Sequence, residues 1–188
     1  MLNNKNAKTI DQLQLNVAQL LKETTGATRI FNVDTAVIYQ VDEGVSLAAP
    51  LTGNISLLRT GHDILVTGTL QTVIQNNCHR CLTEFSMPVE FELEELFYPT
   101  VDLITGNPLP PPDDADEANR ISPLHTLDLN EVVRQALLLE NEGVRYCKPD
   151  CKGLCPHCGQ DQNIGSCTCQ DETIDRRWAG LLEIQVEK

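Results

Sequence analysis

Apolar and polar residues alternate most cleanly between Pro88 and Phe97, where Val89, Phe91 and Leu93 interleave with Glu90, Glu92 and Glu94. A period of two places one set on a core face and the other in water, so this segment predicts a half-buried strand. The carboxylate row then belongs to a wet sheet face, because nothing in the pattern desolvates those groups as proton transfer requires. Ile64–Gln75 alternates in the same way, with Ile64, Val66, Leu70 and Ile74 opposed to Thr67, Thr69 and Gln71. Asn54–Arg59 predicts its partner, joined through the turn Thr60-Gly61-His62-Asp63. Arg29–Val41 is rich in β-branched and aromatic residues (Ile30, Val33, Val37, Tyr39, Val41) and predicts a further strand.

Helical spacing is clearest after Asp128, which stands at an N-cap position with Glu131 three residues on, the pattern of a capping box. Leu129, Val132, Val133, Ala136 and Leu137 then make one apolar stripe. Leu13, Leu15, Val17, Leu20 and Leu21 predict a short helix, or a strand leading into one, that ends before Gly26. The dozen residues at the start predict a frayed end. A last helix is expected over Thr173–Glu183, with Ile174, Trp178, Leu181 and Leu182 on one face and the Trp as its core anchor. Gly106–Pro123 holds five prolines and a cluster of acids with little to bury, which predicts a mobile linker.

Together these elements predict an α+β fold: an antiparallel sheet or partly closed barrel with two or three helices. The expected organisation is a domain over residues 1–142, with the acidic Pro-rich linker at 106–123, and a Cys-rich segment with the final helix over 143–188.

Charge changes the picture by its distribution. The chain of 188 residues carries a net charge of −13. Ten of its 27 acids fall between Glu84 and Asn119, where there is no Lys or Arg. From Arg145 to Cys158 the balance reverses, with Arg145, Lys148 and Lys152 against Asp150. Acidity is therefore regional and leaves the Cys-rich end open to an anionic partner.

Six of the eight cysteines lie between Cys147 and Cys169, and the other two form Cys78-His-Arg-Cys81. The N-terminus has no apolar core of a secretory signal, and no run approaches the roughly 18 apolar residues that span a bilayer. The expectation is a cytoplasmic protein, and in that compartment clustered cysteines favour metal over disulfide. Zinc takes four tetrahedral ligands, and four thiolates close a structural site. Cys155-Pro-His-Cys158-Gly reads as a zinc knuckle, with Pro stiffening the turn and Gly taking the left-handed position after it.

The most economical partition is two zinc ions, one on Cys155, Cys158, Cys167 and Cys169 and one on Cys78, Cys81, Cys147 and Cys151. The spacing also permits Cys151 to replace Cys167 or Cys169, and iron–sulfur ligation also uses four cysteines. His79 and His157 read as solvent-facing fillers, because cysteines already suffice. His62 and His125, in a turn and a linker, read as ordinary surface residues. A different reading makes Cys78 and Cys81 a thiol redox pair or part of a metalloenzyme. A thioredoxin-type pair opens a helix, however, and this one lies between strand-like runs. No Gly-rich phosphate loop, nucleophile elbow or histidine-centred triad appears in the sequence.

The segment Cys151-Lys-Gly-Leu-Cys155-Pro-His-Cys158-Gly resembles the end of the YceD family, the large ribosomal RNA subunit accumulation proteins. So do the Cys-x-Cys after it and Ile174-Asp-Arg-Arg-Trp-Ala-Gly-Leu-Leu182. The resemblance extends upstream through Leu15-Asn-Val-Ala-Gln-Leu-Leu-Lys, Val66-Thr-Gly-Thr-Leu and Cys78-His-Arg-Cys81-Leu, covering about Leu13 to Leu182. Glu140-Asn-Glu-Gly143 departs from the family, which usually has a Leu-Pro-containing segment there, and Gln160-Asp-Gln-Asn163 stands where a Leu-Asn pair is more usual.

What the resemblance implies is a non-enzymatic ribosome biogenesis factor supporting accumulation of large-subunit (23S) ribosomal RNA. The expected partners are precursor large-subunit RNA, a basic ribosomal protein, or both, with no membrane and no small-molecule substrate. The candidate phosphate contacts are Arg80, Arg145, Lys148, Lys152, Arg176 and Arg177, with His79 beside them.

Overall fold

The computed structural model describes residues 8–35, 40–42, 45–110, 112–113 and 116–169. The expected last helix, with Trp178, Arg176 and Arg177, lies outside the described residues, as do Val37 and Tyr39 of the strand expected over Arg29–Val41.

The chain begins with β1 (Lys8–Ile10), β2 (Gln14–Asn16) and α1 (Ala18–Lys22), followed by β3 (Thr28–Thr35), β4 (Gln40–Asp42) and β5 (Val45–Leu47). The long strands β6 (Leu51–Thr60), β7 (Asp63–Asn77) and β8 (Glu84–Pro99) follow. The short β9 (Arg120–Ile121) and β10 (Thr126–Asp128) precede α2 (Asn130–Glu140).

The alternation in the sequence explains why β7 is the central strand. Ile64, Val66, Leu70 and Ile74 are fully buried on its core face. Its edges carry β8 along Ile64–Asn77 on one side, and β6 over Asp63–Gln71 then β5 at Ile74–Gln75 on the other. These pairs are antiparallel, as is β3 on β6. β1 on β3 and β9 on β8 are parallel, which makes the sheet mixed. Among the described residues no strand pair closes it, so the partly closed barrel of the sequence reading is replaced by an open array. Val89, Phe91, Leu93 and Phe97 of β8 face the core, while Glu90, Glu92 and Glu94 are exposed.

α2 packs against the sheet beside β8 through Val132, Val133 and Leu137, all buried. Each such side chain contributes on the order of 1.5–3 kcal/mol by leaving water. The helix start differs from a capping box. Asp128 accepts from the Asn130 amide at 2.9 Å and ties β10 to β2 through Gln14 Nε2 at 2.7 Å. Glu131 instead pairs with Arg134 one helical turn on, at 2.6 Å.

Two other expectations change. Lys8–Ile10, expected to fray, is a strand held by β3, and Ile10 is buried. The linker expectation fails at both ends of its span. Pro108 bridges Val101 in a small hairpin, and Ile121 is fully buried beneath the β8–β9 pair. Two residues of strand suffice there because the parallel neighbour and one large apolar side chain supply the contacts.

Candidate metal centres

Cys78 follows the last residue of β7, and Cys81 stands shortly before β8, so the first knuckle is the loop between the two longest strands. Two backbone bonds shape it: Cys78 N donates to Thr83 O at 3.0 Å and Leu82 N to Cys78 O at 2.9 Å. The chain leaving α2 passes alongside. His79 N donates to Arg145 O at 3.0 Å, and Arg145 N donates to His79 Nδ1 at 2.7 Å. That pairing delivers Cys147 and Cys151 to the knuckle.

The four sulfurs of Cys78, Cys81, Cys147 and Cys151 lie within 4.8 Å of one another. Cys78 Sγ is 3.7 Å from Cys151 Sγ, and Cys81 Sγ is 3.6 Å from Cys147 Sγ. A tetrahedral zinc with Zn–S bonds of about 2.3 Å spaces its sulfurs about 3.8 Å apart. A disulfide would bring them to about 2.05 Å, and all eight cysteines are free thiols. Cys78, Cys81 and Cys151 are buried, with Phe85 and Leu154 packed around them.

The second set, Cys155, Cys158, Cys167 and Cys169, also gathers its sulfurs within 4.8 Å. Its knuckle repeats the first: Gly159, at φ +73°, donates its N–H to Cys155 O at 2.9 Å. A short ladder supports it, with Cys155 N on Gln160 O at 2.8 Å and Gln162 N on Gly153 O at 2.9 Å. Exposure separates the sets, since Cys158 and Cys169 of the second lie open to solvent.

Thiol acidity differs sharply within each set. Burial pushes Cys78 up, but the backbone N–H groups around it outweigh that and hold it at about 6. The Cys158 and His157 amides bring Cys155 to about 6. Burial and the neighbouring sulfurs push Cys147 up to about 12, and the Cys158 sulfur, with burial, does the same to Cys169. Each set thus offers a ready thiolate beside a reluctant thiol, the donor chemistry that a thiophilic dication completes by displacing protons. The sets are compatible with zinc.

Two residues that the sequence reading passed over, or placed elsewhere, support the inner set. Arg80, also a candidate phosphate contact, is exposed yet braces this set: its guanidinium stacks 4.0 Å from the Tyr146 ring centroid and Nη1 donates to Cys151 O at 3.0 Å. Asn163 reaches back to the inner set, with Oδ1 accepting from Lys152 N at 2.9 Å and Nδ2 lying 3.5 Å from Cys151 Sγ. Its only sequence signal was its place in the departure from the family pattern at 160–163. Arg145 bonds to Glu140 O, while the side chains of Lys148 and Lys152 are exposed and form no ion pair among the described residues. His79 serves as the acceptor for Arg145 N, and His157 is exposed.

An α+β sheet protein carrying two four-cysteine clusters at one end of its long strands is the class that fold and site define. The family model described as large ribosomal RNA subunit accumulation protein YceD matches residues 66–185, and the chain belongs to that family. Uncharacterized proteins of Mycobacterium bovis and Mycobacterium tuberculosis are each 37% identical over 122 residues, covering 64% of this chain and 55% of theirs. One of Mycobacterium leprae is 28% identical over 142 residues, covering 74% of this chain and 61% of its own. The chain thus spans a little over half the length of the curated relatives it matches. No solved structure matches it. Among the described residues no helix is long and apolar enough to cross a membrane.

Proposed function

We propose that the protein is a non-enzymatic, zinc-loaded ribosome biogenesis factor of the cytoplasm that supports accumulation of large-subunit (23S) ribosomal RNA. Membership of a family described by that role is the observation that carries the reading. The donor sets favour a structural metal. With four cysteines on each ion, no coordination position is left for water or substrate. Residues 143–188 act as a metal-dependent unit that docks on the sheet domain of residues 1–142. The inner ion serves as the rivet and the outer ion orders the tail.

A thiol redox role for Cys78 and Cys81 has less support, because Cys78 is wholly buried and the pair lies between strands. The partner at the acidic face is a basic ribosomal protein segment. Glu90, Glu92 and Glu94 are exposed there opposite Gln71, Thr69 and Thr67, with no cation among these pairs. Among the described residues, Lys148 and Lys152 are exposed cations at the zinc end that form no ion pair and are placed to meet phosphate.

Depletion in growing cells tests the reading. Large-subunit ribosomal RNA should fall relative to small-subunit RNA and recover when the intact chain is restored. An unchanged ratio overturns it.

A further inference from the structure

The far end of the sheet holds a cleft of a different character. Its volume is 210 Å3, and it opens where α1, the β6–β7 turn and the hairpin after β8 converge. Leu21, Val101 and Leu109 contribute apolar wall, and Ile104, 93% exposed, stands at the lip. Lys22, Arg59 and His62 line the same cleft. Arg59 uses Nε on Gly61 O at 3.0 Å, which leaves its two terminal nitrogens without a partner among the described residues. Lys22 forms no ion pair among them.

Asp102 is the carboxylate in this lining, and hydrogen bonds to one of its oxygens keep it ionised as a part of the wall. One of its oxygens accepts from Ile104 N at 3.0 Å, Thr105 N at 2.7 Å and Thr105 Oγ1 at 2.8 Å. Those bonds, with Asp102 N on Asn107 O at 2.8 Å, fix the hairpin that forms the outer wall. The cleft is therefore pre-formed. In a chain of net charge −13 it presents two cations, neither ion-paired among the described residues, against one carboxylate beside an apolar slot.

We infer that this cleft binds single-stranded RNA, seating one unstacked base against the apolar wall with flanking phosphates on Arg59 and Lys22. Size supports one base and no more, since a cavity of about 150 Å3 holds a benzene ring. Two cations on separate elements suit successive phosphates of a strand, whereas a peptide carboxylate needs only one. Bases in a duplex are stacked and do not reach such a slot, and sequence recognition of RNA generally uses unstacked bases. The inference rests on the ribosomal reading and deepens it by adding an RNA contact at the opposite end of β7 from the cysteines, about 45 Å away at some 3.3 Å per residue.

The test is an amide chemical-shift titration of the zinc-loaded full chain with a mixed-sequence pentanucleotide RNA at 50 mM salt. Shifts should concentrate at Gly61–His62 and Leu103–Thr105. Two phosphate contacts on a single strand predict a loss of affinity of about sevenfold between 50 and 200 mM salt. Arg59→Ala should weaken binding and flatten that dependence, while Arg59→Lys retains most of it, with the amide spectrum of each variant reporting an intact fold.

Shifts confined to Lys148–Lys152, no shift at millimolar RNA, or equal response to inorganic phosphate alone would each overturn the inference. So would tighter binding of a tripeptide with a free carboxyl-terminal Leu. Ribosomal RNA levels in depleted cells read the broader function separately, so either conclusion can fail without the other.

Discussion

Leu82 and Gly159 hold equivalent positions in two separate knuckles. Each follows the second cysteine of a Cys-x-x-Cys turn, with φ +61° at Leu82 and +73° at Gly159. Each donates its N–H to the carbonyl of the first cysteine at 2.9 Å. The same turn is thus built once with the residue it favours and once with a residue that pays a left-handed penalty of roughly 1–2 kcal/mol.

Substitution at these positions should run in opposite directions. Gly159→Ala meets no atom within 4 Å, so its cost is the backbone penalty alone, about 1 kcal/mol. Leu82→Gly should be neutral to stabilising by up to about 1 kcal/mol, since relief of strain exceeds the added chain entropy. Gly153→Ala should cost more than Gly159→Ala. At φ +76° its Cβ would also press to 3.0 Å from the Arg80 carbonyl. Thermal unfolding of the zinc-loaded variants ranks all three.

Arg80 binds the knuckle to the chain that returns from α2. Arg80→Ala should destabilise the zinc-loaded protein by about 2 kcal/mol, from loss of the Tyr146 stack and the bond to Cys151 O. Arg80→Lys should recover less than half of that, because an ammonium lacks the planar fork that stacks and donates together. Denaturant unfolding with and without chelator separates this from a surface effect, which chelation would leave unchanged.

The two metals should differ in what their loss does. The inner set joins residues 66 and 73 positions apart in the chain. Tying off a loop of that length contributes about 4 kcal/mol through the entropy of the unfolded chain alone. Cys151→Ser should therefore lower the melting temperature of the whole sheet. Cys158→Ser, in the exposed set, should lose one zinc and order in the tail while the sheet melts nearly as before. Equal shifts for both variants would contradict the division into rivet and tail.

Zinc uptake should release protons. Cys147 and Cys169, near 12 without metal against an ordinary 9.0, are protonated at pH 7.5 and must ionise to ligate. The bound state therefore holds fewer protons than the free state, so affinity rises with pH and falls on acidification. At least one proton per zinc is expected at pH 7.5, which makes affinity fall tenfold or more per pH unit. The fall steepens below about 6, where Cys78 and Cys155 also protonate. Calorimetry in two buffers of different ionisation enthalpy counts those protons.

The strands β6, β7 and β8 were legible in the sequence because each is long and has one wet face, which makes a period of two visible. Ile121 was hidden for the opposite reason. A two-residue strand has no period, and its burial depends on β8, some 20 residues away. Spacing suggested the grouping of the cysteines but left Cys151 open to either set, and it gave no sign of the roles of Arg80 and Asn163. Both act across the chain, on Cys151 O and Cys151 Sγ, and no local pattern encodes a contact of that range. The capping box misled because Glu131 had a nearer partner in Arg134 than the helix start.

The most direct measurement is the metal content of freshly purified, chelator-free protein together with its count of reactive thiols. Two zinc ions per chain and no thiol that reacts before denaturation are the expected values. No bound metal, with all eight thiols reacting in the native state, would contradict the proposal that zinc rivets the tail to the sheet.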